Sequence, residues 1–147
     1  MTSPATTDAT TVYIDGASLG NPGPAGLGAV FVDARGKPIA KLYKYLGETT
    51  NNVAEYLALL YALQEASTRG LTRLVVKTDS ELLAKQLNGQ YKVRDGTLRL
   101  FHDFVRHVIQ GFEQLSIEHI SRTHNAEADR LANEAVESRF DTSVKIV

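Results

Sequence analysis

The sequence predicts one α/β domain built on a mixed five-stranded sheet, three antiparallel strands and then two parallel ones, flanked by helices. Three observations point there. A chain of 147 residues suits one core and leaves little room for a second. Its 43% hydrophobic and 22% charged residues are a globular composition rather than a disordered one. Finally, the apolar pattern changes period along the chain, from strand-like alternation to helical three-and-four spacing and back.

Residues 1–10 (MTSPATTDAT) are small and polar and read as a disordered lead-in. The domain itself is expected over residues 11–140. Residues 11–15 (TVYID) alternate and are β-rich, giving the first strand. They run into residues 16–26 (GASLGNPGPAG), where four glycines and two prolines in eleven residues predict a shaped loop. Residues 27–33 (LGAVFVD) form the second strand, residues 34–38 (ARGKP) a hairpin turn, and residues 39–47 the returning third strand. From Val53 to about Thr68, Ala54, Leu57, Ala58, Tyr61, Ala62 and Ala66 recur at helical spacing, and Gly70 is placed to end that helix. Residues 73–78 (RLVVKT) are a buried strand and residues 80–87 a second helix. Residues 97–110 form a third helix, with Leu98, Phe101, Val105, Val108 and Ile109 on its apolar side. Residues 115–120 are a fifth strand. Residues 125–138 are a fourth helix striped by Ala128, Leu131, Ala132 and Ala135. The C-terminal tail, 141–147, reads equally as a free end or a short extra strand. Short links between the first three strands imply an antiparallel meander, and helical crossovers place the last two in parallel.

Composition removes several classes of function. With no cysteine there is no disulfide framework, thiolate zinc site or cysteine nucleophile. A formal charge of −1 rules out a uniformly basic nucleic-acid binder while leaving room for a local basic groove. No apolar stretch approaches the roughly 18 residues of a membrane span. The lead-in has neither an apolar stretch nor an arginine, so no export or organelle signal is read and cytoplasm is the expectation.

Four carboxylates stand at suspicious junctions. Asp15 ends the first strand before the glycine-rich loop; the plain alternative is an Asx turn that stabilises that loop. Glu55 opens the first helix. With Asn52 as N-cap it approximates a capping box, yet Ala58, Leu59 and Ala62 put it on an apolar face, where a carboxylate is costly unless paired or bound to a cation. Asp79 closes the fourth strand, either as an N-cap or as a functional group beyond a strand's carboxyl end. Asp129 lies within the last helix, bordering its inward stripe. Converging carboxylates need cations, and hard oxygen ligands without cysteine favour magnesium or manganese over zinc. Two such ions can activate a water and stabilise the leaving oxygen at a phosphodiester.

Four stretches in order, IDGASLGNPGPAG at 14–26, TTNNVAEYLAL at 49–59, VKTDSELL at 76–83 and RTHNAEADRLA at 122–132, resemble those of a type 1 ribonuclease H. The similarity covers residues 11–138. It implies a ribonuclease H-like fold and an endoribonuclease that hydrolyses the RNA strand of RNA–DNA hybrids by a two-metal-ion mechanism, leaving 5′-phosphate and 3′-hydroxyl ends. It implies two Mg2+ ions per site with substrate, with Mn2+ as a substitute. By position Asp15 resembles the carboxylate that bridges both ions, Glu55 and Asp79 ligands of one, and Asp129 a ligand of the ion that activates water. His124 resembles the mobile histidine that assists proton transfer or product release. Only four residues separate it from Asp129, fewer than in well-known bacterial relatives. An N-cap at Asn125 would leave it an ordinary strand-end histidine. His102, His107 and His119 match no motif.

Substrate contacts carry over in the same way. Asn21, Asn51 and Asn52 match polar residues that reach the minor groove, where 2′-hydroxyls mark RNA. Thr50 matches a residue binding a DNA-strand phosphate, and Tyr91 falls where an aromatic stacks on a DNA sugar. Glu81 departs from a common glutamine. The basic helical protrusion of many bacterial members is missing, so this is the compact form. Lys85, Lys92, Arg94, Arg99 and Arg106 against Asp95 and Asp103 still leave residues 85–107 basic, which predicts weaker, salt-sensitive substrate binding. The expected partner is the hybrid duplex, with double-stranded RNA as a second substrate, no membrane, and a monomeric protein. A non-catalytic binding module is the competing class, and retention of all four carboxylates argues against it.

Overall fold

The computed structural model describes residues 8–139 together with the backbone of 142–146. Strands β1 (Thr10–Ser18), β2 (Gly23–Val32) and β3 (Pro38–Thr49) form the antiparallel meander. Helix α1 (Asn51–Thr68) leads to β4 (Arg73–Thr78), and α2 (Glu81–Leu87) and α3 (Gly96–Ile109) lead to β5 (Gln114–His119). A short 3-10 turn (Arg122–His124) precedes α4 (Ala126–Ser138). β4 runs parallel to β1, and β5 runs parallel to β4. The five expected strands therefore form in the expected sense. A sixth, β6 (Thr142–Ile146), pairs antiparallel with residues 40–44 of β3, giving the order β5-β4-β1-β2-β3-β6. Only residues 8–10 of the expected lead-in are described, and Thr10 already belongs to β1; the rest of that stretch, and 141 and 147 of the expected tail, lie outside the described residues.

The strand period sorts the side chains between two faces. Val12 and Ile14 of β1, with Leu27, Ala29 and Phe31 of β2, point toward α1, α2 and α3 and build the main core with Tyr56, Leu59, Leu63, Leu83 and Val105. The opposite face carries Val30 and Tyr43, which meet Leu131 and Ala135 of α4 in a smaller cluster. Connection lengths follow from this division. α2 joins α3 through residues 88–95 alone, with no inserted helix, as the compact reading requires.

The glycine-rich segment is more regular than its composition suggests. β1 continues to Ser18 and β2 begins at Gly23, so the true loop is residues 19–22 and not 16–26. Among the extra strand residues Gly16 and Gly26 lie where a helix leaves no room for a Cβ, as it does at Gly28. A Cβ at Gly28 would overlap the Ala128 carbonyl oxygen and lie 2.8 Å from Ala132 N, so α4 rests its backbone directly on β2. Replacing Gly28 with alanine must push α4 off the sheet. We expect Gly28→Ala to lower unfolding free energy by about 2–3 kcal/mol, read from urea denaturation, in the range of overpacked cores.

Candidate metal centre

The parallel register that sets Ile14 beside Thr78 also sets the next residues, Asp15 and Asp79, side by side at the carboxyl ends of β1 and β4. Helix α1 supplies the third group. Its first turn lies so close to β1 that a Cβ at Gly16 would sit 2.5 Å from Glu55 N. With that space left empty, the Gly16 amide donates to Glu55 Oε1 at 2.9 Å. The carboxylate oxygens of Asp15, Glu55 and Asp79 come within 4.8 Å of one another. Asp129 reaches them from the other face. Gly28 is the cross-strand partner of Asp15, so the same close approach that seats α4 brings Asp129 near the Asp15 carboxyl, where it adds to the upward push on that group.

Capping duties are taken by other residues, which frees the carboxylates. Thr50, not Asn52, caps α1, with its Oγ1 accepting from Val53 N at 3.2 Å. Ser80, not Asp79, caps α2 through Leu83 N at 3.1 Å. Glu55 therefore belongs to no capping box, and Asp79 to no cap. Asn125 stands at the N-cap position of α4 yet makes no side-chain cap bond. Its Nδ2 turns inward instead, donating to the Ile14 carbonyl at 2.8 Å and reaching Asp79 Oδ2 at 3.4 Å.

The electrostatics of this cluster are unfavourable without a cation. Asp15 is 4% exposed and Glu55 5% exposed. Burial first, and then the charges of Glu55 and Asp79, push the Asp15 carboxyl far above its ordinary range. Burial likewise raises Glu55, while the Gly16 amide and the nearby Arg122 guanidinium pull it back in part. Three hard oxygen donors converging at this spacing, two of them out of water, fit a divalent cation such as Mg2+ or Mn2+, which would supply the missing positive charge.

Other predicted residues fall into three places. Asn21, Asn51 and Asn52 are exposed together, and the Asn51 amide donates to Asn21 Oδ1 at 2.9 Å. Tyr91, 46% exposed, lies under Lys85 Nζ at 5.0 Å from the ring centre, while Lys85 is also paired with Glu81 at 3.0 Å. Lys92, Arg94, Arg99 and Arg106 line a cleft of about 650 Å³ beside Tyr91, so the basic patch exists as an open surface. His124 is exposed on the 3-10 turn, with Nδ1 bonded to Ser121 Oγ at 2.8 Å and not to a carboxylate. It lines a separate cleft with Tyr13, Lys41 and Glu127. Two residues of the site escaped sequence reasoning. Arg122 opens the matched stretch at 122–132 but has no pattern of its own that marks a role. Asn125 was read as a cap because asparagine before a helix ordinarily is one.

A family model described as reverse transcriptase-like matches residues 13–135. Ribonuclease HI of Halobacterium salinarum is 43% identical over 125 residues, which is 85% of this chain and 63% of that protein. The crystal structure of RNase H1 from Halobacterium salinarum NRC-1 superposes with a TM-score of 0.86 at 42% identity, over 88% of this chain and 98% of that one. LC11-RNase H1, solved in complex with an RNA/DNA hybrid, gives a TM-score of 0.85 at 40% identity over 88% and 98% of the two chains. The chain belongs to the type 1 ribonuclease H family, whose fold it shares. No helix among the described residues is long and apolar enough to cross a membrane.

A carboxyl raised in the folded state adds stability at low pH and withdraws it as pH climbs from the ordinary carboxyl range of about 4 through the folded value. Metal-free protein should therefore melt at progressively lower temperature from about pH 4 toward alkaline pH. In chelator at pH 8, Asp15→Asn should melt above wild type, and the gap should close near pH 4. Added Mg2+ should stabilise wild type and leave the variant unmoved. Thermal melts by circular dichroism across these conditions check the sign.

Proposed function

We propose that this chain is an endoribonuclease that hydrolyses the RNA strand of RNA–DNA hybrids at the Asp15, Glu55, Asp79 and Asp129 cluster, leaving 5′-phosphate and 3′-hydroxyl ends. The observation that carries the reading is the convergence of three carboxylates, two of them buried, within 4.8 Å at one end of the sheet. Two divalent ions bound there, Mg2+ or its substitute Mn2+, would activate the attacking water and stabilise the leaving oxygen. The chain's own residues do the rest. Asp15, whose carboxyl feels Glu55, Asp79 and Asp129, would be the ligand common to both ions. Glu55 and Asp79, grouped with Asp15, would hold one ion, and Asp129 on α4 would complete the shell of the ion that activates water. Exposed His124 is assigned proton transfer or product release. Asn21, Asn51 and Asn52 offer adjacent polar contacts to a wide minor groove, where 2′-hydroxyls distinguish RNA. Thr50, at the start of α1, is assigned a DNA-strand phosphate, and Tyr91 with the basic cleft the flanking DNA sugar and phosphates. The hybrid complex of LC11-RNase H1 supports this substrate.

The test is cleavage of end-labelled hybrid beside double-stranded RNA, single-stranded RNA and DNA, with Mg2+ or Mn2+. Asp15→Asn removes several kcal/mol of charge stabilisation and should slow hybrid cleavage by about 10³-fold or more. His124→Ala should slow it by about 10²-fold, the lower range for a proton-transfer group. Cleavage of double-stranded RNA by wild type would widen the substrate class. Hybrid binding by wild type without metal-dependent cleavage would replace the nuclease with a binding module.

A further inference from the structure

Asn125 is 1% exposed, and its two bonding functions are treated unequally. The amide nitrogen has two oxygen partners, the Ile14 carbonyl and Asp79 Oδ2. The amide oxygen is buried with no partner at all. Flipping the amide would set that oxygen against both acceptors, so the inward donor orientation is fixed by its surroundings. The residue has given up the cap of its own helix and left an acceptor unmet in order to place one NH2 group. That group sits where three carboxylate-bearing segments meet. The Ile14 carbonyl is the peptide link into Asp15. Asp79 is touched directly. The Asn125 backbone carbonyl accepts from Asp129 N at 3.1 Å, so the side chain hangs from the helical turn that carries Asp129.

We propose that Asn125 is a positioning residue of the metal centre: its side-chain amide, carried at the start of α4, ties that helix to β1 and to Asp79, and so fixes the spacing of Asp15, Asp79 and Asp129. The inference rests on the four-carboxylate reading of the site. An outer group that orients carboxylates in this way typically governs metal affinity by about 10–100-fold. It needs no contact with nucleic acid to do so.

The experiment titrates Mn2+ alone into metal-free protein, reading free ion by electron paramagnetic resonance. Asn125→Ala should bind Mn2+ about 10-fold more weakly than wild type. Gln86→Ala, which removes another buried amide bonded to Tyr56, should match wild type in affinity although it costs stability. Equal affinity of Asn125→Ala and wild type overturns the proposal whatever the melting temperatures are. Should Asn125→Ala not fold, the side-chain NH2 resonances of Asn125 in wild type decide. They must shift when Mg2+ is added, because the Asp79 carboxylate that accepts from them then also becomes a metal ligand, and unshifted signals overturn the proposal. Asp15→Asn separates the two levels of inference. If it binds Mn2+ as wild type does, the carboxylate site itself is wrong. If only the Asn125 variant is unaffected, the site stands and the positioning role falls.

Discussion

The closeness of helix to sheet at two glycines governs everything that happens at the end of this domain. Gly16 and Gly28 lie on neighbouring strands and face opposite sides. At the first, α1 approaches until its backbone would collide with any side chain; at the second, α4 does the same from below. Each helix brings one carboxylate, and each glycine lies within one position of Asp15 along the strand or across the ladder. A methyl group at either place would hold a helix, and its acid, away from the others. Backbone proximity thus converts an ordinary two-faced sheet into a four-acid cluster, without special loop geometry.

That arrangement carries an electrostatic cost which the rest of the domain has to offset. Burial and mutual repulsion keep Asp15 and Glu55 inclined to hold their protons. The compensation is apolar: Val12 and Ile14 flank the acidic strand end with fully buried side chains, and Tyr56, Leu59 and Leu63 anchor the helix that carries Glu55. Polar reinforcement is sparse but well aimed. The Gly16 amide holds Glu55, and the Asn125 amide holds Ile14 and Asp79. The remaining charged groups form peripheral pairs, such as Lys41 with Glu127 and Arg130 with Glu127 and Glu134, on half-exposed or exposed surface where they do little for stability.

Much of this was legible in the residues. The change of apolar period located every strand and helix of the central domain, and the acids at element junctions stood out because open sheets place functional groups there. What remained hidden depended on contacts distant in sequence. Gly16, Gly23 and Gly26 read as loop because glycine usually breaks strands; the helices lying on the sheet explain Gly16 and Gly26 as strand residues, and the tight return of residues 19–22 explains Gly23. Asn52 and Asp79 look like caps because nothing local distinguishes them from Thr50 and Ser80, which lie two residues and one residue away. Asn125 looked like a cap for the same reason, and its true partner, Ile14, is 111 residues away. The pairing of residues 142–146 with β3 could not be read from a short polar-apolar segment that alternates weakly.

The order in which the acids occur along the chain has a bearing on synthesis. A ribosome delivers β1, β2 and β3 first, then Glu55 and Asp79 on adjoining units that can assemble as they emerge. Asp129 comes on α4, the element that must fold back over β2 to reach its seat. Until that helix has left the exit tunnel, the nascent domain holds a partial set of acids, with the face around Gly28 uncovered.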